Sequence, residues 1–270
     1  MTWVIGACPL LGAYAITVSD IQVTFPDGRT FDLVRKAFPI GPNLIGGFAG
    51  SAYIGFELLY SAAGFLRRKG MPENAAWHPA WVAENWAPVA RNVFDKADKR
   101  QQKLGSQFII VGPDPVEDVG IPGRAVPYLC KFSAPNFNAE ITRGGNSAIS
   151  IGSGAHVPEY VQGIKDVMDP YAMPNGGFLQ LEVGNTGGWA SGINIAISLM
   201  LDRHPVPGIS QHVHTHVAAR EGFRVMTSDR TINLDTPEEQ EIRMPRVAQS
   251  FLELVKMAKE LDVDGATAIA

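Results

Sequence analysis

The sequence predicts an α+β fold in which antiparallel sheets are covered by helical layers. Two observations carry that expectation. Strand-like and helix-like stretches come in runs: strands, two helices, strands, two helices, strands, one helix. Such runs favour antiparallel sheets over a wound βαβ sheet. The apolar stretches are also separated by short segments of Pro, Gly, Asp and Asn, the residues of hairpin turns. With 270 residues, 46% of them hydrophobic and 19% charged, the chain can bury a sizeable core.

Residues 3–8 and 13–18 are apolar and rich in Val, Ile, Ala and Tyr, and Pro9 to Gly12 break them as a hairpin does. Ile21 to Phe25 and Thr30 to Leu33 flank Pro26-Asp27-Gly28-Arg29, where Pro presets φ and Gly accepts a positive one. Leu44 to Phe48 follow the turn-like Pro39 to Asn43, so the chain opens with about five strands. Helical spacing begins at Ser51, with Leu58, Ala62, Phe65 and Leu66 on one face and Arg67-Arg68-Lys69-Gly70 closing it. Residues 71–80 read as a loop, and a second helix is expected from about Pro79 to Gln102.

Strands return at Ser106 to Val111, Val126 to Phe132, Phe137 to Thr142 and Ser147 to Ile151, with a loop from Pro113 to Pro122. A short helix from about Val157 to Met168 follows Gly152-Ser153-Gly154. Residues 169–185 read as an inserted loop, and a further helix runs from about Gly188 to Leu201. Ile209 to Ala219 and Phe223 to Thr227 read as strands joined at Glu221-Gly222. The last helix is expected over about Pro245 to Leu261, where Val247, Phe251, Leu254, Ala258 and Leu261 step by four and three.

The balance of charge excludes some functions. A formal net charge of −4 argues against general binding to nucleic acid or an acidic membrane. No apolar run approaches the roughly 18 residues that span a bilayer. No basic segment precedes an apolar one at the N-terminus, and charge first appears at Asp20, so a signal peptide is not expected. Cys8 and Cys130 lie in apolar strand-like runs and read as buried free thiols, which suits a reducing compartment. A cytoplasmic protein is the expectation.

The first fifty residues carry the chemistry. Thr2 stands directly behind Met1, so removal of Met1 would leave a hydroxyl and a free α-amine on one residue, a nucleophile with its own base. Asp20 follows after one hairpin, and Lys36 after the next. Gly46-Gly47-Phe48-Ala49-Gly50 then runs into a long helix.

This pattern resembles the proteasome β-subunit superfamily, which includes the bacterial peptidase that forms rings with a separate ATPase. Val34-Arg35-Lys36 looks like the family's lysine strand, and Gly46 to Gly50 its small-residue turn into the first helix. Thr2 falls at the N-terminal threonine and Asp20 at the acidic residue, with Ser19 as an alternative partner. Ile149 to Gly154 before a helix looks like the stretch that holds the family's active-site serine, here Ser153. The family's later Asp–Ser pair has no clean counterpart, because Asp202 and Ser210 are eight residues apart.

The resemblance implies a single domain over residues 1–270, a four-layer αββα sandwich with longer segments at about 71–105 and 169–187. It implies a threonine-type amide hydrolase, a protease working in a homo-oligomeric ring beside a separate ATPase unfoldase. Thr2 Oγ would attack a carbonyl, and its α-amine would carry the proton. Lys36 would keep that amine a base, and Asp20 would hold Lys36. Gly50 N–H would donate to the oxyanion, and Ser153 would orient the amine or a water. No cofactor and no metal are called for. The alternatives are a non-catalytic ring subunit of the same fold and a small-molecule amidase.

Other constellations compete. His212-Val213-His214-Thr215-His216 would put three imidazoles on one strand face, as a metal face or as hydrogen-bonded or interface histidines. The Gly46 to Gly50 stretch fails the spacing of a dinucleotide loop and lacks the Lys-Ser/Thr of a phosphate loop. Gly184-Asn185-Thr186-Gly187-Gly188 opens a helix and could hold an anion, but reads first as a plain N-cap turn. Trp77, Trp81, Trp86, Tyr53, Phe56 and Tyr60 read as core or interface anchors.

Overall fold

The computed structural model describes residues 2–8, 14–41, 44–68, 79–118, 125–143, 147–168, 186–219, 222–227, 230–231, 240–241 and 244–261. The expected turns at Pro9 to Gly12 and Glu221, the segments 71–78 and 169–185 with Gly184-Asn185 and Trp77, and the tail after Leu261 lie outside them. The chain is a mixed α+β structure with antiparallel sheets.

The chain opens with strands β1 (Trp3–Cys8), β2 (Tyr14–Asp20), β3 (Gln22–Thr24), β4 (Thr30–Asp32), β5 (Ala37–Gly41) and β6 (Leu44–Gly50). Helices α1 (Ala52–Arg68), α2 (Pro79–Asn85), α3 (Ala87–Lys96) and α4 (Lys99–Lys103) follow. Next come β7 (Ser106–Asp118), β8 (Ala125–Ser133), β9 (Ala139–Arg143), β10 (Ser147–Gly152) and a 3-10 turn, Ser153–His156. Helices α5 (Pro158–Met168) and α6 (Thr186–Arg203), strands β11 (Val213–Ala219) and β12 (Gly222–Thr227), and helix α7 (Phe251–Glu260) complete the main elements.

One five-stranded sheet has the order β10-β1-β2-β11-β12, the other β5-β6-β7-β8-β9. Every residue of β1 and β2 is buried. Strands covered on both faces read as continuous apolar runs, which is why Trp3 to Cys8 lack alternation. Val4, Ala15, Ile151 and Ala218 of the first sheet share an apolar cluster with Ile45, Ile109 and Leu129 of the second. Trp3, Ile16 and Val217 pack with Tyr160 of α5 and Ile197 of α6. Phe48, Phe108 and Phe132 pack with α1, α2, α3 and α7 through Leu58, Val82, Ala90 and Leu254.

Several boundaries differ from the sequence expectation. Six strands precede α1 rather than five, because Ala37–Gly41 pairs with β6 despite its turn-like composition. Pro39 is tolerated there because β5 is an edge strand and its register slips between Pro39 and Gly41. Lys36 stands just before β5, and Val34 makes only an isolated bridge to Ala248. The long helix expected over 79–102 is three helices. Pro88 starts α3, and the Asp98 carboxylate caps α4 by accepting from Arg100 N and Gln101 N.

β7 runs on through Pro113, paired with Pro127, and its register slips only between Asp114 and Asp118. Residues 209–212 precede β11, which begins at Val213 rather than Ile209. The last helix begins at Phe251, not Pro245, because the Ser250 hydroxyl caps it, accepting from Glu253 N at 3.2 Å. Ala248 instead joins the N-terminal half. Its N–H donates to Leu33 O at 2.6 Å, and its carbonyl accepts from Arg35 N at 3.1 Å.

Trp86 and Phe56 are core, whereas Tyr60 is exposed. Cys8 and Cys130 are buried free thiols. Burial pushes Cys8 well above the usual thiol range and Cys130 up to about 12, so neither is a thiolate near neutrality.

Candidate functional site

Strand register builds the site. Pairing of Val4 with Ser19 leaves Asp20 beside Trp3, and the Asp20 Oδ1 accepts from Trp3 N at 2.7 Å. Pairing of Trp3 with Gly152 brings Ser153 to Thr2. Thr2 N donates to Ser153 Oγ at 3.0 Å, and Ser153 Oγ donates to the Thr2 carbonyl at 3.2 Å. Gly152 has φ +83°, and a Cβ there would lie 2.2 Å from Thr2 O, so this approach requires glycine.

Lys36 enters from the segment before β5. Its Nζ donates to both Asp20 oxygens at 2.8 Å and to the Gln22 carbonyl at 2.6 Å. The residues are 3% and 1% exposed. Burial drives the ammonium below the usual lysine range, and the Asp20 carboxylate opposes that drift. Asp20 is fixed in turn by Gln22 N at 3.1 Å. Ser19, the alternative partner, is fully buried, and among the described residues its hydroxyl has no hydrogen-bond partner.

Gly50 ends β6 with φ +96°, where a Cβ would meet the Gly105 carbonyl at 2.3 Å. Ser51 N donates to that carbonyl at 3.0 Å, and Ser51 Oγ donates to Gln101 Oε1. The turn into α1 is thereby tied to α4. Thr2, Lys36, Gly50 and Ser153 line one cavity of about 880 Å³, within the size range of ligand pockets. Thr2 itself is 8% exposed.

All five residues singled out in sequence, Thr2, Asp20, Lys36, Gly50 and Ser153, therefore meet at one end of the two sheets. Three glutamines were not foreseen: Gln22, Gln101, and Gln107, whose Oε1 accepts from Gly152 N at 2.8 Å. A backbone carbonyl or a neutral amide at a site leaves no pattern in sequence.

Ser210 pairs with an aspartate other than Asp202. Asp202 is exposed near the end of α6. Ser210 instead donates to Asp32 Oδ2 at 2.7 Å, and His212 Nδ1 meets the same oxygen at 2.7 Å. Burial raises the Asp32 carboxyl, but the His212 and Ser210 contacts outweigh it and hold the group below the usual range.

The histidine run does not form one metal face. His212 precedes β11, while His214 and His216 are buried inside the chain, which also removes them from any exposed interface. Arg35 Nη2 donates to His216 Nε2 at 2.7 Å, so that nitrogen is an acceptor and the ring is neutral. Among the described residues no group of three metal-ligating side chains converges.

Compared by sequence, the chain matches no protein-family model and no curated protein. No helix among the described residues is long and apolar enough to cross a membrane.

Proposed function

We propose that the chain is a threonine-type amide hydrolase with Thr2 as an N-terminal nucleophile. The observation that carries this reading is the buried Lys36–Asp20 pair beside Thr2 at the wall of a substrate-sized cavity. A lysine held at 2.8 Å from a carboxylate away from water costs several kcal/mol in desolvation, so a bland surface role does not account for it. Apolar clusters between the sheets and on the outer side of each support the four-layer αββα arrangement.

With Met1 removed, the Thr2 α-amine would take the hydroxyl proton as Oγ attacks the amide carbonyl. The C–N bond would break as that proton passes to the leaving amine, leaving an ester on Thr2. Water would hydrolyse the ester by the same relay. An unperturbed α-amine titrates near pH 8, and a neighbouring ammonium disfavours its protonated form. Ser153 already holds the Thr2 nitrogen at 3.0 Å. Gly50 N–H would meet the oxyanion.

A cavity of about 880 Å³ admits a peptide segment rather than a folded domain. A homo-oligomeric ring in the cytoplasm, served by a separate ATPase that unfolds substrates, completes the proposal. The test is intact mass before and after an electrophilic probe for N-terminal threonine. Loss of one methionine and one adduct on Thr2, absent in Thr2→Ala, is the expected result. A retained Met1, or no adduct after its removal, would sink the hydrolase and leave a non-catalytic ring subunit. Turnover of small amides without degradation of unfolded protein would favour the small-molecule amidase.

A further inference from the structure

The residues that line the cavity are unbalanced in charge. Among those described there is no aspartate or glutamate, although the whole chain carries a net charge of −4. Three basic residues do line it: Lys36, Arg100 and His156. Lys36 is neutralised by Asp20 behind the wall. Arg100 is not. Its backbone N–H joins the Asp98 cap, but its guanidinium has no ion-pair partner among the described residues.

Both remaining basic groups are anchored to the site. Arg100 precedes Gln101, which binds Ser51 at the Gly50 turn. His156 ends the 3-10 turn that begins at Ser153, the partner of the Thr2 nitrogen. They therefore reach the cavity from the Gly50 side and the Ser153 side. Phe25, Val34, Phe48 and Leu104 supply apolar lining.

We propose that the cavity selects amide substrates that carry a carboxylate, with Arg100 as the residue that determines this specificity. A guanidinium offers a planar fork of donors that fits a carboxylate with two parallel hydrogen bonds. A cleft lined by one sign of charge also concentrates ligands of the other sign. His156 also lines the cavity and adds a ring N–H donor. The apolar residues take the substrate's aliphatic or aromatic body, in the usual division of a ligand site. The acidic group belongs to a peptide side chain, because a cavity of this size open to Thr2 takes a chain segment rather than a terminus alone.

The amide part of this inference rests on the hydrolase reading, but the charge preference does not, and binding separates them. Two fluorescent peptides that differ only by Glu or Gln at one position are titrated against the full chain. The acidic peptide is expected to bind at least about tenfold more tightly. That preference should fall to within about twofold in Arg100→Gln, shrink as salt is raised, and turn toward a Lys peptide in Arg100→Glu. Arg100 is exposed, so neither variant is expected to unfold the chain.

Equal affinities, a preference that survives in Arg100→Gln, or binding of neither peptide would overturn the proposal. A peptide with its only carboxylate at the C-terminus distinguishes side-chain from terminal recognition: equal tightness there overturns the side-chain assignment. The probe adduct on Thr2 is scored separately. An adduct without acid preference removes this inference alone, and acid preference without an adduct removes only the hydrolase reading.

Discussion

A buried ammonium and a buried carboxylate are tolerable only together. Lys36 makes three hydrogen bonds, two of them to Asp20. Lys36→Ala would leave Asp20 charged, 1% exposed and without its cation. A loss of about 3–5 kcal/mol is expected, read as a lower denaturant midpoint. A loss below about 1 kcal/mol would show that water reaches the carboxylate. Because that variant risks global unfolding, Thr2→Ala is the cleaner chemical control. At this scale the sequence is informative where a residue type is unusual for its place: a charge inside an apolar strand run, a hydroxyl directly behind Met1. It was silent on Asp32 and His212, which are 180 positions apart, and on the glutamines. Such contacts depend on how loops fold over one another, and no local spacing encodes that.

At the scale of elements, the end of β10 positions Thr2. Gly152→Ala would force a Cβ to 2.2 Å from the Thr2 carbonyl at a φ that non-glycine residues resist. A loss of about 1–3 kcal/mol in stability and slower probe labelling of Thr2 are expected. Normal labelling in a folded Gly152→Ala protein would mean that Ser153, not the glycine, sets the Thr2 position. Most strands were legible because β-branched and aromatic runs ended in turn residues. The failures have a common physical source. At Pro39, Pro113 and the 245–250 stretch, pairing with β6, β8 and Val34 overrides local propensity. The break at Asp98 carries a cap signal, its carboxylate accepting from Arg100 N and Gln101 N.

At the scale of the whole molecule, β11 lies against β2 and carries His214 and His216 inward. Burial, with Arg35 and His214 nearby, holds His216 well below the usual histidine range. The unfolded chain would bind a proton there as pH falls through about 6.5, and the folded chain would refuse it. Stability is therefore expected to fall with pH below about 6.5, by up to about 1.4 kcal/mol per unit from this group. His216→Gln keeps an acceptor for Arg35 and should flatten thermal unfolding between about pH 6.5 and 5. An unchanged slope would assign the effect elsewhere. Sheet order was only partly legible: runs of strands implied antiparallel sheets, but the placement of β11 beside β2, between sequence-distant partners, had no local signal. One consequence concerns timing. Trp3 is paired with Gly152, held at its N–H by Asp20, bonded through its indole to Ser150 and stacked on Tyr160 at 4.5 Å. An aminopeptidase grips its substrate as an extended segment, and in the folded chain the segment after Thr2 is already an inner strand. Were Thr2 the proposed nucleophile, a separate enzyme freeing it would have to act before β10 closes over β1.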